Sequence, residues 1–307
     1  MRLLLTGATG LIGRKLLPEL VNAGFSAVAA GRNSAPPAWL PAGVDWQSTD
    51  LLDPVARRRL VETASASHLV HLAWHTAPGS YIDAAENDLW LQASQDLLAC
   101  FADGGGRRVV LAGSCAQYDW DDPSLADQLC RETATPTGGR SRFARARQAL
   151  EDWLLARPDL SAACGRIFFV FGDGEDPRRL VPSLACRLLR GEVAETGPGD
   201  LVRDFLCSTD VAAAIAALLQ SSVTGPVNIA SGDGTRIADL AGTVADLVGR
   251  PDLLRIGALP GRAGESPRLV ADVTRLHQEV GFRPTVGLDA RLAETVAWWR
   301  AELGEVS

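Results

Sequence analysis

One short stretch near the start restricts this chain more than any other. An apolar run at residues 2–5 passes directly into Thr6-Gly7-Ala8-Thr9-Gly10-Leu11-Ile12-Gly13. Such a run suits a parallel strand buried on both faces. The residues after it have helical spacing, with Ile12, Leu16, Leu17 and Leu20 on one face, and Gly24 is a natural stop before a second apolar run at 25–30. A strand, a glycine turn, a helix and a second strand form the setting in which such glycines carry meaning. Gly7 permits the tight turn, Gly10 lets backbone N–H groups approach a pyrophosphate, and Gly13 lets helix and strand pack closely. The helix N-terminus adds partial positive charge. Any tight strand–helix turn can use glycine, but glycines in this register point to a dinucleotide, with Thr9, Leu11 and Ile12 completing the cradle. Pro18 removes one hydrogen bond inside the helix and is expected to bend it.

The second strand ends in Gly31-Arg32-Asn33, without the carboxylate that usually takes the ribose hydroxyls of NAD. The Arg32 guanidinium can fork onto a 2′-phosphate, so the expected cofactor is NADP(H). The plainer alternative is a solvated loop arginine. Further strands are expected at 44–46, 67–73, 108–112 and within 161–171, with helices at 88–101 and 139–156. Strands alternating with helices give an α/β fold, a Rossmann-type doubly wound parallel sheet covered on both faces. Beyond about residue 171 the pattern becomes irregular, with Gly-Pro turns near 197–199 and 225–226. The expected layout is a dinucleotide-binding domain at 1–170 with later sheet elements from about 203–230. A smaller interleaved substrate lobe then takes 171–202 and 231–307.

Composition narrows the function. With 37 Asp+Glu against 30 Lys+Arg, a net charge of −7 argues against nucleic acid or an anionic membrane as partner. The apolar runs fall short of a membrane span, and the first one meets its glycine turn too early for a signal peptide. A cytoplasmic protein acting on a small molecule is the expectation. The six cysteines never reach a C-x-x-C spacing, and His71 and His75 lack the glutamate of a zinc-protease helix, so no metal site is expected. Of the basic residues one is a lysine, Lys15, and the only tyrosines are Tyr81 and Tyr118. So strong a bias to arginine, with abundant Ala and Leu, suggests a GC-rich bacterial genome.

These motifs, in this order, resemble the extended short-chain dehydrogenase/reductases of the NAD-dependent epimerase/dehydratase family. Thr6 to Gly13 resembles the family's T-G-x-x-G-x-x-G. Asp50-Leu51 resembles its adenine-contacting pair, and His71-Leu72-Ala73, with Trp74 beside it, resembles the run that passes the pyrophosphate and nicotinamide ribose. Arg166-Ile167-Phe168-Phe169-Val170-Phe171-Gly172 resembles R-P-x-N-V-Y-G without its Pro, Asn and Tyr. Arg203-Asp204-Phe205 resembles a segment whose arginine often meets a sugar-nucleotide diphosphate. The resemblance implies Ser114, Gln117, Tyr118, Phe143, Phe168 and Arg203 as substrate contacts.

It also exposes a gap. In the family a Tyr donates the proton, a Lys four residues later lowers its pKa and holds the ribose, and a Ser or Thr polarises the carbonyl. Ser114 matches the hydroxyl, but Phe143 stands at the Tyr position and Arg147 at the Lys position, with Glu151 matching the glutamate beyond. Neither tyrosine has Lys or Arg four residues on: Ala85 follows Tyr81 and Asp122 follows Tyr118. Arg147 can still bind ribose, yet a guanidinium is a poor proton source. The proton or polarisation then comes from Ser114, from Tyr118, or from a phenol beside an aryl ketone in the substrate. The plainer readings are a turn cap for Ser114 and a packing residue for Tyr118. Loss of the pair resembles atypical ketoreductases that tailor angucyclinone-type antibiotics. The expected activity is therefore NADPH-dependent reduction of an aromatic polyketide ketone. The alternatives are a nucleotide-sugar 4-ketoreductase or epimerase, and a non-catalytic NADP(H)-binding protein.

Overall fold

The computed structural model describes residues 1–261 and 265–304. Its first six strands are β1 (Arg2–Thr6), β2 (Ser26–Gly31), β3 (Asp45–Ser48), β4 (His68–His71), β5 (Arg108–Ser114) and β6 (Ser161–Ile167). Helices α1 (Leu11–Asn22), α2 (Pro54–Ala64), α3 (Glu86–Asp103) and α4 (Arg142–Leu155) lie between them. There follow β7 (Phe169–Phe171), α5 (Leu180–Leu189), β8 (Ala194–Glu195), β9 (Val202–Cys207), α6 (Ser208–Gln220) and β10 (Gly225–Ile229). The last elements are β11 (Gly234–Arg236), α7 (Ile237–Val248), β12 (Leu254–Arg255), β13 (Arg268–Leu269), α8 (Thr274–Gln278) and α9 (Leu288–Glu302).

The seven-stranded sheet has the order β10-β6-β5-β4-β1-β2-β3, parallel throughout. Alternation along its strands feeds two apolar layers. Leu3, Leu5 and Ala29 pack with Leu16 and Leu17 of α1 and Ile215 of α6, whereas Leu4 and Val28 pack with Leu60, Leu97 and Leu150 of α2, α3 and α4. Strand order runs outward from β1 to β3, then returns to β4 on β1's other edge, so the crevice at the carboxyl ends of β1 and β4 is the switch point where such sheets hold ligands.

A second sheet, β11-β9-β13 with β7 also on β9, adjoins a third apolar layer that includes Leu184, Leu240, Val244 and Val296 from α5, α7 and α9. Within the stretch 203–230 only β10 joins the large sheet; β9 pairs in the small one, although it was expected with the former. Helix α4 begins at Arg142, later than expected, because the Ser141 hydroxyl caps it by accepting from Ala144 N at 3.1 Å. Helix α1 runs through Pro18 to Asn22. No described helix is long and apolar enough to cross a membrane, and no group of three or more His, Cys, Asp or Glu among the described residues could hold a metal ion. All six cysteines are free thiols.

Candidate functional site

At the switch point the glycines do what the backbone demands. Gly7 has φ +74°, and a Cβ there would lie 2.7 Å from Ala73 N, so the turn presses against the chain leaving β4. A Cβ on Gly13 would lie 2.2 Å from Gly7 O, which fixes α1 close under the turn. Gly10 is the extended N-cap of α1 with no side-chain cap, which leaves the first-turn N–H groups of Leu11 and Ile12 for an anion. Thr9 and the Trp46 ring both lie close against Gly31. Arg32 follows, exposed at the end of β2. Asp50 is exposed and accepts from Leu52 N at 3.0 Å, while Leu51 is buried beneath it.

His71 has a different role from the expected cofactor contact. It is 1% exposed, with Nδ1 at 2.7 Å from the Thr6 hydroxyl and Nε2 at 2.9 Å from the Ser94 hydroxyl. Burial, aided by the nearby Arg147 charge, pushes its pKa down to about 3, so it is a neutral brace that ties the glycine turn to α3. Leu72 and Ala73 form the wall against Gly7. Trp74 is also buried and donates from Nε1 to Asn87 Oδ1 at 2.8 Å.

Over Trp74 lies the Arg147 guanidinium, 4.2 Å from the ring centroid and 5.5 Å from that of Phe143. Arg147 is 5% exposed, yet its Nε and Nη1 have no hydrogen-bond partner among the described residues. Burial pushes its pKa down to about 10, which still leaves it protonated at neutral pH. Buried donors of this kind call for an acceptor. Together with the open glycine cradle, they fit a dinucleotide whose ribose oxygens would meet Arg147. In those respects the residues suit the cofactor.

The reacting end departs from expectation. Ser114, half-buried at the end of β5, accepts from Ala116 N at 3.2 Å and forms a capping box with Gln117. Gln117 is fully buried and donates to Glu151 Oε2 at 2.9 Å. Glu151 is also the partner of Arg166, in an ion pair with both side chains nearly inaccessible. Tyr118 belongs to the same interior. It is 0% exposed, donates from its hydroxyl to Asn228 Oδ1 at 2.7 Å, and lies beneath the Arg166 guanidinium. Burial pushes its phenol pKa up, and Phe168 packs against it in the same apolar cluster. Tyr118 is thus a packing residue and not the proton donor. Gln117 and Phe168 are likewise buried, Gln117 bonded to Glu151 and Phe168 packed against Tyr118, and neither side chain is free as expected of a substrate contact.

Arg203 is 2% exposed, donates to Glu265 Oε1 at 3.0 Å and to Val202 O at 2.9 Å, and stands over Phe169. Its charge is already met by a carboxylate, so it braces β9 instead of offering a free cation to substrate. Phe143 is buried, and its ring meets that of Tyr81 edge-on at 5.0 Å. Sequence reasoning had set Tyr81 aside on spacing alone. It also missed the segment after β7, where Arg14 Nη2 donates to Gly174 O at 3.1 Å, Lys15 pairs with Asp173, and Arg179 Nη2 donates to Thr76 O at 3.2 Å. The charged run Asp173-Gly174-Glu175-Asp176 between a strand and a helix was the available signal.

Comparison with known proteins accords with this geometry. The model of the NAD dependent epimerase/dehydratase family matches residues 3–230. A dTDP-4-dehydro-6-deoxy-D-allose reductase of Streptomyces bikiniensis is 34% identical over 132 residues, 42% of this chain and 40% of that protein, so the match spans less than half the relative's length. A dTDP-6-deoxy-L-talose 4-dehydrogenase (NAD(+)) of Aggregatibacter actinomycetemcomitans is 26% identical over 238 residues, 76% of this chain and 85% of that one. Among solved structures, MoeE5 in complex with UDP-glucose and NAD superposes with a TM-score of 0.83 at 29% identity, covering 99% of this chain and 100% of that one.

Proposed function

The chain belongs to the NAD dependent epimerase/dehydratase family, and on that premise we propose that it is an NADP(H)-dependent oxidoreductase that reduces a 4-keto nucleotide sugar. The observation that carries this reading is on α4: Phe143 and Arg147 stand one turn apart where the family places Tyr and Lys. An epimerase or dehydratase must first oxidise a sugar alcohol, and that step needs a base to take the hydroxyl proton. A ketone is already at the oxidised level and needs only a hydride and a proton. The relatives named for dTDP-sugars, and the structure holding UDP-glucose and NAD, support a nucleotide sugar over the aromatic polyketide ketone expected from sequence.

When bound, the cofactor supplies the hydride. The glycine turn and the first turn of α1 would hold its pyrophosphate, Arg147 its ribose, and Arg32 a 2′-phosphate. Ser114 Oγ, at the end of β5, would donate a hydrogen bond to a carbonyl oxygen. The test is NADPH consumption with a dTDP-4-keto-6-deoxyhexose and, separately, with a phenolic polycyclic ketone. Turnover of the sugar supports the reading. Turnover of only the polycyclic ketone returns the polyketide assignment, and binding of NADPH without turnover of either identifies a non-catalytic binder.

A further inference from the structure

We propose that Tyr81, brought to the reacting end by the loop after β4, is the proton donor that α4 lacks. The inference rests on the reductase reading above and supplies the acid that reading requires. With two tyrosines in the chain and the Tyr118 hydroxyl committed to Asn228 in the interior, Tyr81 is the remaining phenol. It is half-buried and meets Phe143 with ring planes at 89°. The phenol therefore lies against the side chain that occupies the family's tyrosine position.

Its place is fixed from two sides. Phe143 N donates to Ile82 O at 2.8 Å, which pins the loop to the first turn of α4. Asn87 Nδ2 donates to Tyr81 O at 2.6 Å, while Asn87 Oδ1 accepts from Trp74, the ring that carries Arg147. One asparagine thus holds both the Tyr81 backbone and the ring against which Arg147 lies.

A second cation answers for the missing lysine. The Arg179 guanidinium lies 5.3 Å from the Tyr81 ring centroid. This places a cation against the ring of the proposed donor. Of the two carboxyls near Arg179, burial pushes the pKa of Glu175 up to about 8, so it is mostly the uncharged acid at neutral pH. Asp176 is ionised and hydrogen-bonded chiefly to Arg178. In the step itself the Tyr81 Oη–H bond breaks and its proton passes to the carbonyl oxygen. The carbonyl carbon gains a hydride from the reduced nicotinamide dinucleotide, the C=O π pair becomes the new O–H bond, and the phenolate recovers a proton from water.

Two tyrosines make the test direct. Full-length protein labelled with carbon-13 at the tyrosine Cζ gives two signals, assigned with Tyr81→Phe. On addition of NADP+ and dTDP-glucose the Tyr81 signal should move and the Tyr118 signal should stay. An unmoved Tyr81 signal overturns the proposal whether or not a ketone substrate has been found. In single-turnover NADPH oxidation, Tyr81→Phe should lower the rate by about a hundredfold or more, with NADPH affinity within about twofold of wild type. An unchanged rate overturns the proposal. Arg179→Met provides a second variant. It should lower the single-turnover rate while leaving NADPH affinity within about twofold, and an unchanged rate removes Arg179 from the account. If wild type reduces no keto sugar, the reductase reading fails, and the carbon signals alone decide the role of Tyr81.

Discussion

The nucleotide end and the reacting end of the crevice obey different rules. At the nucleotide end the backbone itself is the device: Gly7 and Gly13 sit where a Cβ would strike backbone atoms at 2.7 and 2.2 Å. At the reacting end side chains on a shared scaffold make the device, and α4 keeps its position while exchanging Tyr and Lys for Phe143 and Arg147. A backbone requirement leaves few allowed residues. A side-chain requirement can be met from another direction, as Tyr81 does from the loop after β4. Conservation of the fold therefore says little about where the acid stands.

The contrast can be broken from either side, and the largest effect is expected behind the reacting end. Arg166→Met leaves Glu151 buried without its cation and should cost about 3–5 kcal/mol of stability, read by urea unfolding. NADPH affinity of the folded fraction should hold. If affinity falls in step with stability, the two ends are not separate devices. Next, Gly13→Ala forces a methyl into Gly7 O and should cost about 1–3 kcal/mol. Titration by fluorescence should show NADPH affinity falling with it, because the turn itself is displaced.

These substitutions also show what was legible in the sequence. The parallel sheet and the glycine turn follow from periodicity and fixed spacing, the α4 exchange is what the family resemblance implies, and the seven-stranded sheet bears out the expected fold. Tyr118 was misjudged because chain proximity to Ser114 says nothing about direction. A 3₁₀ turn of Cys115–Gln117 carries its ring into the interior, toward Asn228, more than a hundred residues away in sequence. Arg203 was misjudged for a similar reason, since its partner Glu265 lies on a distant segment. Tyr81 and Arg179 meet only in the folded chain, and no spacing rule joins them.

Smaller effects sharpen the comparison. Arg32→Asp should remove a charge-assisted contact to a 2′-phosphate, about 1.5–3 kcal/mol, and abolish any preference for NADPH over NADH in equilibrium binding. Equal affinities in the unaltered protein would return the cofactor to NAD. Tyr118→Phe leaves Asn228 Oδ1 without its donor and should lower stability by about 1–2 kcal/mol. The single-turnover rate should stay within about twofold. A large loss of rate would move Tyr118 back to the chemistry.

The central claim is that this crevice delivers a hydride to a sugar ketone, and isotope placement tests it most directly. NADPH carrying deuterium at both C4 positions of the nicotinamide is mixed with a dTDP-4-keto-6-deoxyhexose and the protein, and the sugar is examined by NMR. The account predicts deuterium at the sugar C4. A sugar that remains unlabelled while NADPH is bound would contradict it.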